Sequence, residues 1–460
     1  MNIEDLLKEI KELRAEVEAL RKENAELKQK VSELETKLSR YEKLDSSNSS
    51  KPPSQDFKKN KNLPRVKSFR DSGGQPGHKG TTLQKVQHPD EVIDCNPDKC
   101  SNCGTELETV SAIVVDTRQE IDVEIPEPKT VEYRKIKKVC PVCGQSNCGS
   151  FPKHLKSKIQ IGNMVKSLIV YLHISHKIPF QRLTNILKDL LGLKISEGTV
   201  ENTLQKALKQ ADLNKDEILK QIKQSNWAQS DETGIRVDSE NWQLWTWCND
   251  LFSFYVADKS RSYEVIKRNF GEDYQGILVH DCYAAQNKTP AKAHQHCLAH
   301  YQRELKYSIE IEKCVWSKGM SDFLKRAIKM REKIWQEAFD EDLRLQVIKF
   351  FNQSLIDRLQ SPPLMSNIEA YQLYKRFLRH TNSVLLFMNY KDLPATNNGS
   401  ERAIRNAKIH KKVSGCFRNP EAAKRYATIL STIETAKKQG IAALEACKSL
   451  ILGQKLAFSG

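Results

Sequence analysis

Apolar residues recur every seven positions at the start of the chain, at Leu6, Leu13, Leu20, Leu27 and Leu34, with Tyr41 continuing the series. Three residues before each stand Ile3, Ile10, Val17, Asn24, Val31 and Leu38. Branched residues at the first heptad position with leucine at the fourth favour a parallel two-stranded coiled coil, and a lone core Asn fixes register at a cost in stability. In such a dimer the facing charges are Glu9–Arg14, Glu16–Arg21, Glu23–Lys28, Lys30–Glu35 and Lys37–Glu42, and every pair is opposite in sign. Residues 1–44 are therefore predicted to be a coiled-coil helix that dimerises with a second copy.

The heptad ends in Asp45-Ser-Ser-Asn-Ser-Ser-Lys-Pro-Pro-Ser54, a composition that builds no core. Nine Lys or Arg and two acids lie between Lys51 and His88. Residues 45–90 read as a basic flexible arm that orders along phosphates or in a minor groove. His78 and Lys79, in Gly73-Gly-Gln-Pro-Gly-His-Lys-Gly80, are its candidate DNA contacts.

Residues 91–155 carry two knuckles, Cys100-Ser-Asn-Cys103 and Cys140-Pro-Val-Cys143, each followed by Gly. Four thiolates make a closed tetrahedral site of the structural kind, so Zn2+ on Cys100, Cys103, Cys140 and Cys143 is expected. Alternating segments at 112–115 and 119–125 suggest a hairpin between the knuckles, hence a zinc ribbon. Cys95, Cys148 and His154 are spare candidates.

The period changes to that of helices over residues 156–225. A helix is expected over 165–172, a second from Pro179 to Leu191, a turn at Gly192, and a third capped by Ser196 that runs through Leu204 and Leu208. Helix, Gly turn, capped helix is the order of a helix-turn-helix DNA-binding domain and equally of a small helical bundle.

Alternation near two returns at 226–420. Strands are predicted over 227–237, 242–248 and 252–256, a helix over 262–270, and an apolar strand over 276–283 with Asp281 near its end. This order matches the start of a ribonuclease-H-like α/β domain. Residues 302–393 are helical in pattern and read as an insertion that includes Trp316 and Trp335. Residues 421–460 read as C-terminal helices. The expected class is thus a multidomain α+β protein.

Asp231 and Asp281 on neighbouring strands, with a third acid from a helix, form a set able to hold two divalent ions for in-line displacement at phosphorus. Glu401 supplies that acid: Asn397-Asn-Gly-Ser-Glu401 looks like a helix entry, and Arg402, Arg405, Lys408, Lys411 and Lys412 follow. Asp238, Asp250, Glu232 and Asp273 are rival acids on placement alone.

Charge and cysteine usage agree with a nucleic-acid partner. Lys and Arg outnumber Asp and Glu by 74 to 58 in 460 residues, a formal charge of +16. The charged opening residues give no secretory leader, and no apolar run approaches the roughly 18 residues of a membrane helix. A cytoplasmic protein, associated with the nucleoid when bound to DNA, is expected. There the twelve cysteines serve as thiols or metal ligands rather than disulfides.

Ser47-Asn-Ser-Ser-Lys-Pro-Pro-Ser54, Gly73–Gly80, the two knuckles, Asp231-Glu-Thr-Gly234, His280-Asp-Cys-Tyr-Ala-Ala285, Asn397-Asn-Gly-Ser-Glu-Arg-Ala-Ile-Arg405 and Ser414-Gly-Cys-Phe-Arg418 stand in the order of the insertion-sequence-66 transposase family, which the chain resembles over nearly its whole length. The resemblance implies a DDE transposase with catalytic Asp231, Asp281 and Glu401. It further implies Mg2+ (or Mn2+) on those acids, strand transfer to target DNA, recognition of terminal inverted repeats, and small accessory proteins of the same element. Arg402, Arg405 and Lys408 are the expected phosphate contacts near the site. Cys297, His300 and Arg303 resemble a Cys-x-x-His-x-x-Arg motif of the family, expected to serve packing rather than a second metal. Two rivals remain: a catalytically inactive zinc-containing DNA-binding regulator derived from a transposase, and a zinc hydrolase. The hydrolase requires an open site of His and carboxylate, whereas both knuckles look closed.

Overall fold

The computed structural model describes residues 83–123, 127–336 and 339–458, together with Glu18, Glu23, Asn24, Glu26, Leu27, Lys30 and Val31. These seven early residues are helical and exposed; Leu27 and Val31 keep about half their surface in solvent. The rest of the predicted coiled coil and most of the basic arm, His78 and Lys79 included, lie outside the described residues. The chain divides into two compact units, one of Lys58–Pro128 and one of Met1–Phe57 with Lys129–Gly460.

In the first unit the Cys100 knuckle closes on itself. The Gly104 N–H donates to Cys100 O and the Cys100 N–H to Thr105 O, each at 2.9 Å. Lys99 and Glu106 flank it as an isolated bridge with a 2.8 Å ion pair. The expected strands at 112–115 and 119–125 do not form among the described residues. Residues 112–123 have no regular structure, and Ile113 and Val115 are 86% and 94% exposed. Alternation alone makes no strand: the segment needs a partner, and none pairs with it among the described residues.

The second unit opens with β1 (Lys137–Val139) and β2 (Ser146–Cys148), antiparallel across the Cys140 knuckle. Its turn repeats the first, with the Gly144 N–H on Cys140 O and the Cys140 N–H on Gln145 O. Helix α1 (Asn163–Val170) loosens into a π-turn at Tyr171–Ser175. Helix α2 (Phe180–Leu191) buries Leu183 and Leu187 and stops at Gly192, where φ is +65°. There the Gly192 N–H bonds Lys188 O and the Leu193 N–H bonds Leu187 O, which satisfies the last carbonyls. Helix α3 (Glu197–Gln224) starts as expected, with the Thr199 N–H on Ser196 Oγ. It runs well past Leu208 because Ile218 and Ile222 continue its buried stripe into the core beside the sheet.

Next come β3 (Trp227–Val237), β4 (Glu240–Cys248) and β5 (Ser253–Asp258), an antiparallel meander. After α4 (Tyr263–Asn269), β6 (Ile277–His280) pairs parallel with β3. Past the short α5 (Ala284–Asn287), β7 (Ala293–His296) pairs parallel with β6. The order β5-β4-β3-β6-β7 makes a mixed sheet compatible with the ribonuclease-H-like expectation.

The insertion is helical as read: α6 (Leu298–Ile311), α7 (Val315–Ile334), α8 (Glu341–Leu359), α9 (Ile368–Arg379) and two short 3-10 turns. Its ends meet at a neck beside the sheet. The Leu298 N–H donates to Ala395 O at 3.0 Å, and the Asn397 N–H to Cys297 Sγ at 3.1 Å. Trp316 and Trp335 donate their indole N–H groups to Arg358 O and Met388 O and pack with the insertion core, as packing residues do.

Helix α10 (Asn398–Ser414) returns against β3 and β4. Helices α11 (Pro420–Lys438) and α12 (Ala443–Leu452) follow. They share one apolar core with α1, α2, α3 and the sheet, around Ile169, Leu204, Val237, Tyr255 and Ile429. Arg425, 5% exposed by side chain, makes a two-pronged ion pair to Glu201 at 2.6 Å that ties α11 to α3. Among the described residues no helix is long and apolar enough to cross a membrane.

Candidate active site

Strand β3 organises the site. Its parallel register with β6 is Trp227↔Ile277, Ala228↔Leu278 and Gln229↔Val279. Asp231 stands two residues past the last β3–β6 pair, Gln229↔Val279, and Asp281 two residues past Val279, just after β6 ends at His280. Asp231 is buried and Asp281 half-buried. Burial, followed by the charges of Asp281, Glu232 and Glu401, pushes the Asp231 carboxyl well above its ordinary range. The three expected acids thus share one electrostatic neighbourhood.

Glu401 reaches that neighbourhood because β3 grips the start of α10. The Asn397 side-chain amide donates to Ser230 O at 3.0 Å. Gln229 donates through Nε2 to Thr396 O at 3.1 Å and accepts the Ser400 N–H on Oε1 at 2.9 Å. Gly399 lies so close to this amide that a Cβ there would sit 3.1 Å from Gln229 Cδ and nearer still to Oε1. The run before Glu401 is therefore moulded against one β3 side chain, Gln229, and the Ser230 carbonyl, and Glu401 falls in the first helical turn behind it.

Around Glu401 the Cys297 motif closes a second ring. Arg303 Nη2 donates to Glu401 Oε1 at 3.0 Å and to His300 Nε2 at 2.9 Å. His300 then carries its proton on Nδ1, which is buried without a partner. Ligand atoms of Cys297, His300 and Glu401 lie within 4.8 Å of one another, close enough to hold a metal ion. The Arg303 cation contacts two of the three, and burial pushes the Cys297 thiol up to about 11 while its sulfur accepts the Asn397 N–H. As they stand, these contacts make a hydrogen-bonded support for Glu401.

Asp281 is braced from behind. Its Oδ1 accepts the Tyr283 N–H at 3.1 Å, and Cys282 takes a φ of +70°, rare for a residue with a side chain. Histidines hold that turn. His280 Nδ1 accepts the Cys282 N–H, so its Nε2 donates to His294 Nδ1 at 2.9 Å. Tyr301 donates to His296 Nδ1, His296 to Asn287 Oδ1, and Asn287 to Cys282 O. Burial holds these imidazoles neutral; His296 falls to about 3.

The rival acids separate by place. Asp238, Asp250 and Asp273 are exposed, and Asp273 pairs with Lys223. Glu232 is buried beside Asp231, with a side chain only 1% exposed and paired to Arg261. Arg402, Arg405 and Lys408 are exposed on α10 and make no ion pair among the described residues. The Thr105 side chain draws the Cys103 thiol down, and the Cys143 and Val142 backbone N–H groups draw Cys140 down.

A family model described as the Transposase IS66 family matches residues 158–425. The chain belongs to this family. The match spans β3, β6 and α10, and so all three acids. Residues 3–84 match a second model, a family of unknown function. No curated protein matches the chain. Membership in the IS66 family makes the protein a transposase; the chemistry of its site is the next question. Sequence reading named most of the residues that meet there. It passed over Gln229, whose only signal was its place two residues before Asp231, and Arg261, which lies far from every motif.

Proposed function

We propose that this IS66-family transposase is of the DDE type, and that Asp231, Asp281 and Glu401 are its catalytic acids. The observation that supports the proposal is the gathering of three carboxyl groups from the middle of β3, the turn after β6 and the start of α10, with Asp231 buried and repelled by its neighbours. Carboxylates crowded in this way suit divalent cations, and Mg2+ or Mn2+ fits an all-oxygen donor set. When bound, such ions supply charge for the attacking and leaving oxygens of an in-line displacement. The chain's own part is to fix the acids. The β3 grip on Asn397 and Ser400 aims Glu401, Arg303 holds one of its oxygens, and the turn braced by histidines aims Asp281. Arg402, Arg405 and Lys408 bear on the DNA backbone beside them, and Lys79 and His78 bear on it from the basic arm.

The substrates are the terminal inverted repeats of the element and a target DNA, cut and joined in the bacterial cytoplasm. Residues 1–44 join two copies, so two ends are held together, and small proteins of the same element act beside them. The CxxC spacing of each knuckle supports a structural Zn2+.

Incubation of the chain with end DNA and Mg2+ or Mn2+ tests the reading. Wild type is expected to cut and join; Asp231→Asn is expected to bind the DNA and leave it intact. Cutting by Asp231→Asn at the wild-type rate would sink the assignment. Failure of the wild type to cut while binding tightly would instead favour an inactive DNA-binding regulator.

A further inference from the structure

Glu232 is an expensive residue. Its side chain is almost wholly buried beside Asp231, and burial with the Asp281 charge pushes its carboxyl up. Oε1 takes two bonds from Arg261, from Nε at 2.9 Å and Nη2 at 2.6 Å, and Oε2 accepts from Gln286 Nε2 at 3.3 Å. A buried ion pair contributes little net stability, since an apolar pair of similar volume commonly serves as well. What the arrangement achieves is to hold Arg261 still.

Three further contacts complete the hold. The Arg261 guanidinium lies over the Tyr283 ring, 4.2 Å from its centroid. The Tyr283 hydroxyl donates to the Arg261 carbonyl at 2.9 Å. The preceding Ser260 is pinned by its N–H on Asp258 and by the Trp245 indole on its carbonyl. Yet half of the Arg261 side chain stays in solvent. Of its five N–H groups two are used on Glu232, and Nη1 has no partner among the described residues. Asp281, two residues before Tyr283, acts electrostatically on Arg261, and strand alternation puts Glu232 on the opposite face of β3 from Asp231.

We propose that Arg261, held by Glu232 and Tyr283, binds a DNA backbone phosphate that flanks the scissile bond. The proposal rests on the reading of Asp231, Asp281 and Glu401 as the centre of cleavage. Fixed guanidinium forks match phosphate oxygens and lose little freedom on binding. Four carboxyl groups crowd this end of the sheet, and a DNA strand brought there requires fixed cations to offset them. Glu232 is then a positioning residue, acting through Arg261.

The test uses the full chain, a duplex from the boundary of the element, and a scan of uncharged methylphosphonates through the strand near the cut. Affinity is measured in Ca2+, so that no cutting is required. Wild type is expected to lose roughly 10- to 100-fold at one phosphate, the worth of a charge-assisted bond. The pair Arg261→Met with Glu232→Gln, which leaves no buried charge unpaired, is expected to lose that factor on unmodified DNA and nothing further at that position. Unchanged affinity, or an unchanged methylphosphonate profile, overturns the proposal. If the pair fails to fold, Arg261→Lys keeps the charge and loses the fork; full sensitivity at that phosphate in this variant also overturns it. Asp231→Asn should keep the wild-type profile, so failure here and failure of the catalytic reading remain distinct.

Discussion

Gly399→Ala sets two physical effects against each other. Helix propensity alone predicts a gain of about 1 kcal/mol, because Ala outranks Gly in a helix. The structure predicts a loss. The added Cβ meets the Gln229 amide, the far end of a side chain that could swing aside elsewhere. Here it is 5% exposed and bonded at both atoms, to Thr396 O and the Ser400 N–H. Moving it forfeits both bonds and strands buried partners, at about 1–3 kcal/mol each. Less the propensity gain, the net expectation is about 1–5 kcal/mol of destabilisation. Trp227, Trp242, Trp245 and Trp247 lie on β3 and β4, so denaturant unfolding followed by tryptophan fluorescence reads this region. In a Gln229→Ala background the same substitution should cost almost nothing, giving a coupling of about 2 kcal/mol in the double-mutant cycle. Gly399→Ala as stable as wild type, or strict additivity with Gln229→Ala, would refute the reasoning.

Three further outcomes follow from the same geometry. His296 is held neutral by burial, and then by His380 and His294, so its pKa falls from 6.5 to about 3. The unfolded chain takes that proton near 6.5, so its stabilising share is complete above that pH and is lost as pH falls toward about 3. Asp231 titrates with the opposite slope, so denaturant midpoints of wild type and His296→Gln are compared from about pH 7 to about pH 4, and parallel curves would contradict the account. The purified chain should carry about one tightly bound zinc, and Cys103→Ser or Cys143→Ser should lower that content by colorimetric titration after denaturation; full zinc content in both variants excludes the ribbon. Leu27→Asp should turn a dimer into a monomer in sedimentation equilibrium, and a wild-type monomer at micromolar concentration removes the coiled-coil reading.

The elements nearest the chemistry were the most legible. Strand β3 matches its predicted span, with apolar residues at both ends, and the chain turns straight after, at Asp238 and Ser239. The start of α10 was legible because Asn-Gly-Ser is turn chemistry. What the run is moulded against was not, since Gln229 lies about 170 residues away in sequence and nothing local marks it. The length of α3 was hidden because Ile218 and Ile222 resume a stripe that polar residues interrupt at Asn214 to Glu217. The segment 112–123 misled for the opposite reason: its alternation is real, but pairing is a property of two segments. Arg303 was read as part of a packing motif, and its bond to Glu401 joins α6 to α10 across the whole insertion.

The neck at Cys297 and Asn397 has a bearing on how such a chain can change over time. The insertion leaves and re-enters the sheet through one closed gap, stitched by Leu298 to Ala395 and by Asn397 to Cys297. Glu401 takes its position from β3 and from Arg303, which stands on α6 just past that gap. Helices α7 to α9 can therefore lengthen, shorten or be exchanged at modest entropic cost, since the cost of closing a loop grows only slowly with its length. The neck works as a grafting point: ancestry or an engineer can fit a different helical cassette there and leave the acid cluster in register.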